Sequence, residues 1–407
     1  MECEERRPSL LLRASESRKE DIMTMTLFYP LAAFLVSALA AFWGMPWLLR
    51  FCQRRGLYDL PNERKIHHNK IPRLGGALFM PCAVMGMVIA FSLMQLIDGQ
   101  FPNITLSTFI IFSGIFLIYL VGLLDDVLGL PARIKFIIQF IASLFLPLCN
   151  LYINNLYGFL GIYEIPMWIG YPLTILVCLL VVNSINLIDG IDGLASGLSM
   201  MALLAFSIVF FRMQVFTYAV FSLALIGAVL VFFYYNMFGK PEKMTKTFMG
   251  DTGSLILGYA LSYLSIKLAM NNDDILPYWP AALLTSYSLL LVPTFDLIRV
   301  AIGRLRKRTS IFHADKTHIH HKFLAAGWSM HATLMAILAL QLFFCGMNFG
   351  LYLAGVEYTW IVAADVVLFA GVHVTLNRKV ARNLKACSDM QVQPATIPEY
   401  GCKHHDK

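Results

Sequence analysis

The sequence predicts an all-α polytopic membrane protein of about eleven transmembrane helices, with its N-terminus outside and its C-terminus in the cytoplasm. Three observations carry this. Apolar residues make up 58% of the 407-residue chain and charged residues only 14%, against about 45–50% and 25% in a soluble domain. Uncharged runs recur, among them Leu74–Ile97 (24 residues), Gly99–Leu124 (26) and Met213–Gly239 (27), and one crossing needs about 20 apolar residues. From Leu27 onward, 25 Lys and Arg fall in the segments of one side and only two, Arg212 and Lys267, elsewhere. That asymmetry places the basic segments in the cytoplasm.

The same numbers exclude a soluble globule, an intrinsically disordered chain and a disulfide-stapled module. The eight cysteines form no C-x-x-C pair, so neither a thiolate metal knuckle nor a disulfide framework is expected. The net charge of +7 is read through its distribution across the membrane.

Residues 1–26 carry five basic and six acidic side chains and no apolar core. They are no signal peptide; a disordered extension is expected, or a start at Met23 or Met25. The membrane domain is expected over 27–380 and a cytoplasmic tail over 381–407, disordered from Cys387. In lipid the backbone must satisfy its own hydrogen bonds, so each apolar run is read as a helix.

The first span, 27–49, leads into a basic loop with Asp59-Leu-Pro-Asn-Glu-Arg-Lys, His67, Lys70 and Arg73. Arg50, Arg54 and Arg55 serve topology. Lys65, His67, Lys70 and Arg73, crowded before the Gly75-Gly76 that opens span 75–97, suit a phosphate. The alternative is attraction to anionic headgroups. The third span, 107–124, runs into Asp125-Asp126. Adjacent carboxylates at a membrane boundary are costly unless paired or metal-bound. Pro131 suits the first turn of the next helix, and the fourth span is 135–152.

The fifth span, 168–186, ends in Asn186-Leu-Ile-Asp189-Gly-Ile-Asp192-Gly193, ahead of spans 194–211 and 215–235. A helical turn there would put Asp189 and Asp192 on one face, although Asp-Gly is also an ordinary turn dipeptide. Gly250-Asp251-Thr252-Gly253-Ser254 opens the eighth span, 253–270. Asp251 suits a metal, or a helix cap. The ninth span, 278–299, holds Asp296 three residues before Arg299, where the two can pair on one helix face. After it come Arg304, Arg306, Lys307 and Arg308, then His313, His318, His320 and His321. The histidine spacing fits no zinc motif, and its basic neighbours favour an anionic ligand. Spans 331–353 and 358–377 complete the set.

All five polar clusters fall on one face of the membrane. Carboxylates there suit Mg²⁺, which takes one or two carboxylates plus substrate phosphates, and the cations and histidines suit a diphosphate. The combination fits phosphoryl transfer, where positioning and charge stabilisation carry catalysis. No GxxxxGK[ST] loop occurs. A transporter would place its site at mid-membrane with internal repeats. Here, of the acids, only Asp296 and Asp365 lie within the spans, and no repeat is found.

The motifs resemble those of the polyprenyl-phosphate N-acetylhexosamine-1-phosphate transferases over residues 27–380. The resemblance rests on Asp59-x-Pro-Asn-x-Arg-Lys65, Pro72-Arg-Leu-Gly-Gly76, Asp125-Asp126, Asn186-Leu-Ile-Asp-Gly-Ile-Asp-Gly193, Met249-Gly-Asp-Thr-Gly-Ser254 and His318-Ile-His-His321, in family order. It implies a multi-pass enzyme of the bacterial cytoplasmic membrane. Such an enzyme joins a UDP-N-acetylhexosamine to undecaprenyl phosphate, giving the undecaprenyl-diphospho-sugar and UMP, with Mg²⁺ (or Mn²⁺). The Pro-Arg-Leu-Gly-Gly and His-Ile-His-His forms look like the UDP-GlcNAc branch, which primes cell-surface glycans such as O-antigen. Partners implied are UDP-GlcNAc, undecaprenyl phosphate and the bilayer, with no nucleic acid and room for a homodimer.

By the same resemblance joined to the chemistry above, Asp251 binds the metal. Asp125 or Asp126 deprotonates or orients the lipid phosphate, and Asp189 and Asp192 complete the catalytic set. Lys65, Lys70, Arg73, Asn186, His318, His320 and His321 bind substrate. Some members carry a third acid where this chain has Gly129, so a role for such an acid does not transfer.

Overall fold

The computed structural model describes the backbone over residues 6–59, 71–99, 106–272, 276–310 and 317–391, and side chains within those stretches from 27 to 384. The expectations for residues 1–26, for the Lys65–Lys70 stretch, for His313 and for the tail from Cys387 therefore lie outside the described side chains.

The chain is helical almost throughout. In order come α1 (Arg6–Arg55), α2 (Phe79–Asp98), α3 (Leu106–Leu128), α4 (Ala132–Leu148), α5 (Met167–Ile188), α6 (Leu194–Arg212) and α7 (Phe216–Phe238). They are followed by α8 (Gly250–Ala269), α9 (Ala282–Ser288), α10 (Leu291–Arg306), α11 (Ile319–Ala325), α12 (Met330–Leu353) and α13 (Tyr358–Gln391). A two-stranded antiparallel ribbon, β1 (Tyr58–Asp59) and β2 (Ile71–Pro72), closes the base of the first basic loop, with Tyr58 opposite Pro72.

Among the described residues, eight helices are long and apolar enough to cross a membrane: α1 from Leu27, α2 with the turn before it, α3, α5, α6, α7, α12 and α13. Their outward faces carry large apolar side chains. Leu35, Leu39, Trp43 and Trp47 of α1 are all exposed, the inverse of a water-soluble helix. The protein is thus a multi-pass membrane protein.

The other three expected spans are built differently. The fourth is α4, only 17 residues long. The eighth is α8, which lies at the centre of the bundle. Every residue from Thr252 to Ala269 except Tyr263 is buried, so protein, not lipid, surrounds its polar side chains. Gly76 and Gly253 meet backbone to backbone, and a side chain on either would strike its neighbour. That approach seats the N-terminus of α8 beside the start of α2, and Gly122 brings the last turns of α3 against Thr252.

The ninth span is broken into α9 and α10 at Leu289-Leu290. Pro293 has no N–H to return to residue 289, so a continuous helix would lose a bond inside the membrane. Gln341 of α12 satisfies the Ser288 and Val292 groups that the break parts. Its amide donates to the Ser288 carbonyl (2.6 Å) and accepts from the Val292 N–H (3.1 Å). Helix breaks at membrane depth are tolerated where neighbouring side chains re-satisfy the backbone in this way.

Candidate active site

Asp125 and Asp126 end α3, where the helix dipole disfavours negative charge. The two carboxylates are compensated by different means. Asp126, 5% exposed, accepts from the backbone N–H of Asp251 (2.8 Å), the N–H of Thr252 (2.9 Å) and the Thr252 hydroxyl (2.6 Å). It therefore caps the N-terminus of α8 from another helix. Met249 holds the N-cap position without a side-chain cap, and Asp251 does not cap the helix itself. Gly250 permits the arrangement. Its φ is +73°, and a side chain there would collide with Asp126 and the Arg73 carbonyl.

Asp125 is held otherwise. It accepts from the Leu130 N–H (2.6 Å) and from Lys135 Nζ (2.8 Å). The same ammonium reaches Asp251 (2.9 Å), so one cation bridges the acids of α3 and α8. Asn186 at the end of α5 donates to Asp251 (2.6 Å) and lies 2.9 Å from the Ser254 hydroxyl. An ionised carboxylate has about four acceptor sites. Asp251 thus keeps acceptor capacity beyond Lys135 and Asn186.

The Asp189/Asp192 pair also divides. Helix α5 ends at Ile188, and the chain turns through Gly193 at φ +77° before α6. The two acids therefore do not share one helical face. Asp192 leaves the cleft to pair with Lys246 (2.6 Å) and accept from Asn236 (3.2 Å). Asn236 also accepts from the Gly193 N–H (2.7 Å) and donates to the Thr247 carbonyl (2.9 Å), which ties the turn to the segment before α8. Asp189 makes no hydrogen bond or ion pair among the described residues. It keeps some open surface, yet it lies deep in the cleft. This desolvation, with the like charges of Asp251, Asp192 and Asp126, pushes its pKa up to about 8.

The basic loop joins the cluster through its C-terminal part. The Phe248 N–H donates to the Pro72 carbonyl, and the Gly75 and Gly76 N–H groups donate to the carbonyls of Phe248 and Met249 (2.8–3.0 Å). Arg73 Nε donates to the Asp126 carbonyl (2.6 Å), so Arg73 stands at the rim beside both α3 and α8. Lys65 and Lys70 are outside the described residues.

The histidines do not act as a set. His318 is 5% exposed and His320 1%, with parallel rings 5.9 Å apart. His320 packs on Gly190, where a side chain would overlap its ring. Both of its ring nitrogens are enclosed without a hydrogen-bond partner among the described residues. Burial, with His321 and His318 nearby, lowers its pKa to about 3. His320 is therefore a neutral packing group in this arrangement, not one offered to an anion. It does bring the histidine helix against the turn that carries Asp189.

Asp125, Asp189 and Asp251 thus converge from three helix ends around Lys135 and Asn186, with Arg73 at the rim and the His318 helix alongside. Among the described residues, no three His, Cys, Asp or Glu side chains already form an ion cage. A hard divalent ion that takes one or two carboxylates and completes its shell with phosphate oxygens fits this donor set. Reading the sequence missed Lys135 as a bridging cation, Thr252, Lys246 and Asn236. Lys135 stood in view after Pro131. Asn236 lies in an apolar run with no motif around it.

The glycosyl transferase family 4 profile matches residues 108–269. Over 320 residues, the chain is 31% identical to the probable undecaprenyl-phosphate N-acetylglucosaminyl 1-phosphate transferase of Bacillus subtilis (strain 168), covering 77% of this chain and 82% of the relative. The undecaprenyl-phosphate alpha-N-acetylglucosaminyl 1-phosphate transferase of Yersinia pestis is 29% identical over 69% of this chain and 73% of its own. Its namesake in Escherichia coli (strain K12) is 28% identical over 75% and 78%. The profile's span includes Asp125, Asp126, Asp189, Asp192 and Asp251, the acids whose geometry is described above. On these likenesses the chain belongs to the polyprenyl-phosphate N-acetylhexosamine-1-phosphate transferase family.

Proposed function

We propose that the protein transfers N-acetylglucosamine 1-phosphate from UDP-GlcNAc to undecaprenyl phosphate, releasing UMP and priming a cell-surface glycan. The convergence of Asp125, Asp189 and Asp251 around Lys135 supports this most directly. The names of its relatives point to the same substrates. An oxygen of the lipid phosphate attacks the phosphorus that bears the sugar. The bond between the two phosphoryl groups breaks, and UMP leaves.

Asp125 receives the proton of the lipid phosphate or orients it. This reading prefers Asp125 to Asp126, whose oxygens are engaged by the start of α8. Asp251, with the unpartnered Asp189, would hold Mg²⁺ or Mn²⁺, which when bound neutralises charge on the diphosphate. Arg73 and His318 face the same anion, with His321 beside them. Asp192 holds the turn under Asp189. The site lies on the cytoplasmic face of an eleven-span chain in which α9 and α10 form one broken crossing. The 25-to-2 split of basic residues supports that orientation.

The test is UMP release by purified protein given undecaprenyl phosphate, Mg²⁺ and a panel of UDP-sugars. UDP-GlcNAc should be preferred, EDTA should abolish turnover, and added Mg²⁺ should restore it. Preference for another UDP-N-acetylhexosamine would move the substrate but keep the reaction. Full turnover in chelator would remove the metal from the reading.

A further inference from the structure

The ninth span carries a carboxylate that none of the roles above uses. Asp296 of α10 is 1% exposed and is surrounded by donors from two segments. Arg299 Nη2 donates to Oδ1 (2.7 Å), the Ile319 N–H to the same oxygen (3.1 Å), and His318 Nδ1 lies 2.8 Å from Oδ2. Arg299 Nη2 also donates to the Thr317 carbonyl (2.6 Å). The Asp296–Arg299 pair thus holds residues 317–319, the entry to the histidine helix. From α13, His373 Nε2 stands 4.0 Å from Oδ1, too far for a hydrogen bond.

This arrangement fixes more than the backbone. A carboxylate already accepting from a guanidinium acts as an acceptor, so His318 Nδ1 must carry its proton toward Asp296. With Nδ1–H committed to Asp296, Nε2 accepts in the neutral ring and donates only in the imidazolium, the form a neighbouring carboxylate favours. Nε2 makes no hydrogen bond among the described residues, and the ring lies parallel to His320, which rests on the Asp189-Gly190 turn.

We infer that Asp296 is a positioning residue for His318: it holds the ring by Nδ1–H and is the counter-ion of its imidazolium form, in which Nε2–H meets an oxygen of the sugar nucleotide's diphosphate. The inference rests on the transferase reading above and assigns the atom by which His318 takes part. Asp365 is the contrast within the same pair of broken and neighbouring helices. It is equally buried, but it accepts from Tyr287 (2.8 Å) and Asn348 (3.0 Å), with no histidine or cation among its hydrogen-bond partners.

The experiment uses the full chain in lipid nanodiscs and whichever UDP-sugar the unaltered protein turns over. Asp296→Asn should lower kcat/KM about ten- to a hundredfold, the scale of a hydrogen bond to a charged group. His318→Ala should lose as much, and the double variant should be no worse than the poorer single, because both remove one interaction. Asp365→Asn should stay within about twofold of the unaltered protein. Multiplying losses in the double variant, or unchanged kcat/KM in a folded Asp296→Asn protein, would overturn the inference.

A second measurement needs no Asp296 variant. In ¹⁵N-histidine NMR of the unaltered protein with UDP-sugar added, the signal removed by His318→Ala should report protons on both ring nitrogens. A neutral ring of either tautomer would equally sink the inference. If the unaltered protein releases no UMP from any UDP-sugar, the transferase reading fails instead, and the NMR result still decides the Asp296–His318 contact.

Discussion

Two regions of this protein bury carboxylates against apolar helices, and they do so for opposite ends. Around the α9–α10 break, Asp365, Asn348, Tyr287, Ser288 and Gln341 form a network among α9, α12 and α13. Its bonds brace the broken helix. At the ends of α3 and α5 and the start of α8, Asp125, Asp189 and Asp251 share a single bridging ammonium between two of them, and among the described residues the third has none. Like charges this close are tolerable only where a cation or a changed protonation state compensates them. The first region bonds to itself, with one Asp365 oxygen and the Asn348 amide oxygen left without a partner among the described residues. The second is arranged for something that arrives with charge, and the comparison shows that burial of an acid in a membrane helix does not by itself mark a site.

The largest separation between the two regions should come from Asp125→Asn and Asp251→Asn. Loss of a positioned acid or base typically costs about 10²–10⁴ in rate, and UMP release should fall on that scale for both. UDP-GlcNAc binding should persist in Asp125→Asn, whereas Asp251→Asn should need more Mg²⁺ for what turnover remains. Near-normal turnover in both would erase the distinction drawn here.

Asp126→Ala sharpens it differently. It strips the N-terminus of α8 of its cap and leaves the Asp251 and Thr252 N–H groups without that acceptor. Cap loss costs about 0.5–2 kcal/mol and each unsatisfied buried group about 1–3 kcal/mol. A stability loss of about 2–4 kcal/mol is expected, read as a lower Tm, and larger than for Asp125→Ala. If the order of the two Tm values is reversed, Asp126 is not the cap.

A smaller effect is expected at the rim. Arg73→Ala should lose about ten- to a hundredfold in kcat/KM, while Arg54→Ala and Arg55→Ala, assigned to topology, should stay within about threefold. Equal, small losses in all three would make the basic loop a topological signal only. His320→Ala should act through folding, lowering Tm more than it changes turnover per folded molecule.

The smallest effect is expected at Asp365→Asn. The amide keeps a carbonyl acceptor for Tyr287 or Asn348, and the network bears no reaction. A stability change of about 1 kcal/mol and no change in KM should result. A large loss of turnover there, with the fold intact, would join the two regions that the comparison separates.

Much of the site was legible before folding. Asp125, Asp189, Asn186 and Asp251 stand at the ends of uncharged runs, where a charged side chain has an evident cost and hence an evident purpose. His318, His320 and His321 looked alike in sequence because their surroundings come from other segments. Only packing against Gly190 makes His320 a core residue, and only Asp296 distinguishes His318. The break in the ninth span was hidden for a related reason. Pro293 signals a lost bond, but whether the helix bends or stops depends on Gln341, 49 residues from Val292.

The sequence by itself determined that the chain crosses a membrane many times and which segments gather its cations. Hydropathy and charge are local properties, and the bilayer sorts each segment by them independently. Tertiary structure alone decided which acid of each pair faces the cleft. Asp126 turns to the start of α8 because N–H groups 125 and 126 residues away donate to it, and Asp192 turns aside because Lys246 lies 54 residues on. A carboxylate's task is set by the donors within about 3 Å of it, and in a helix bundle those donors come from other helices.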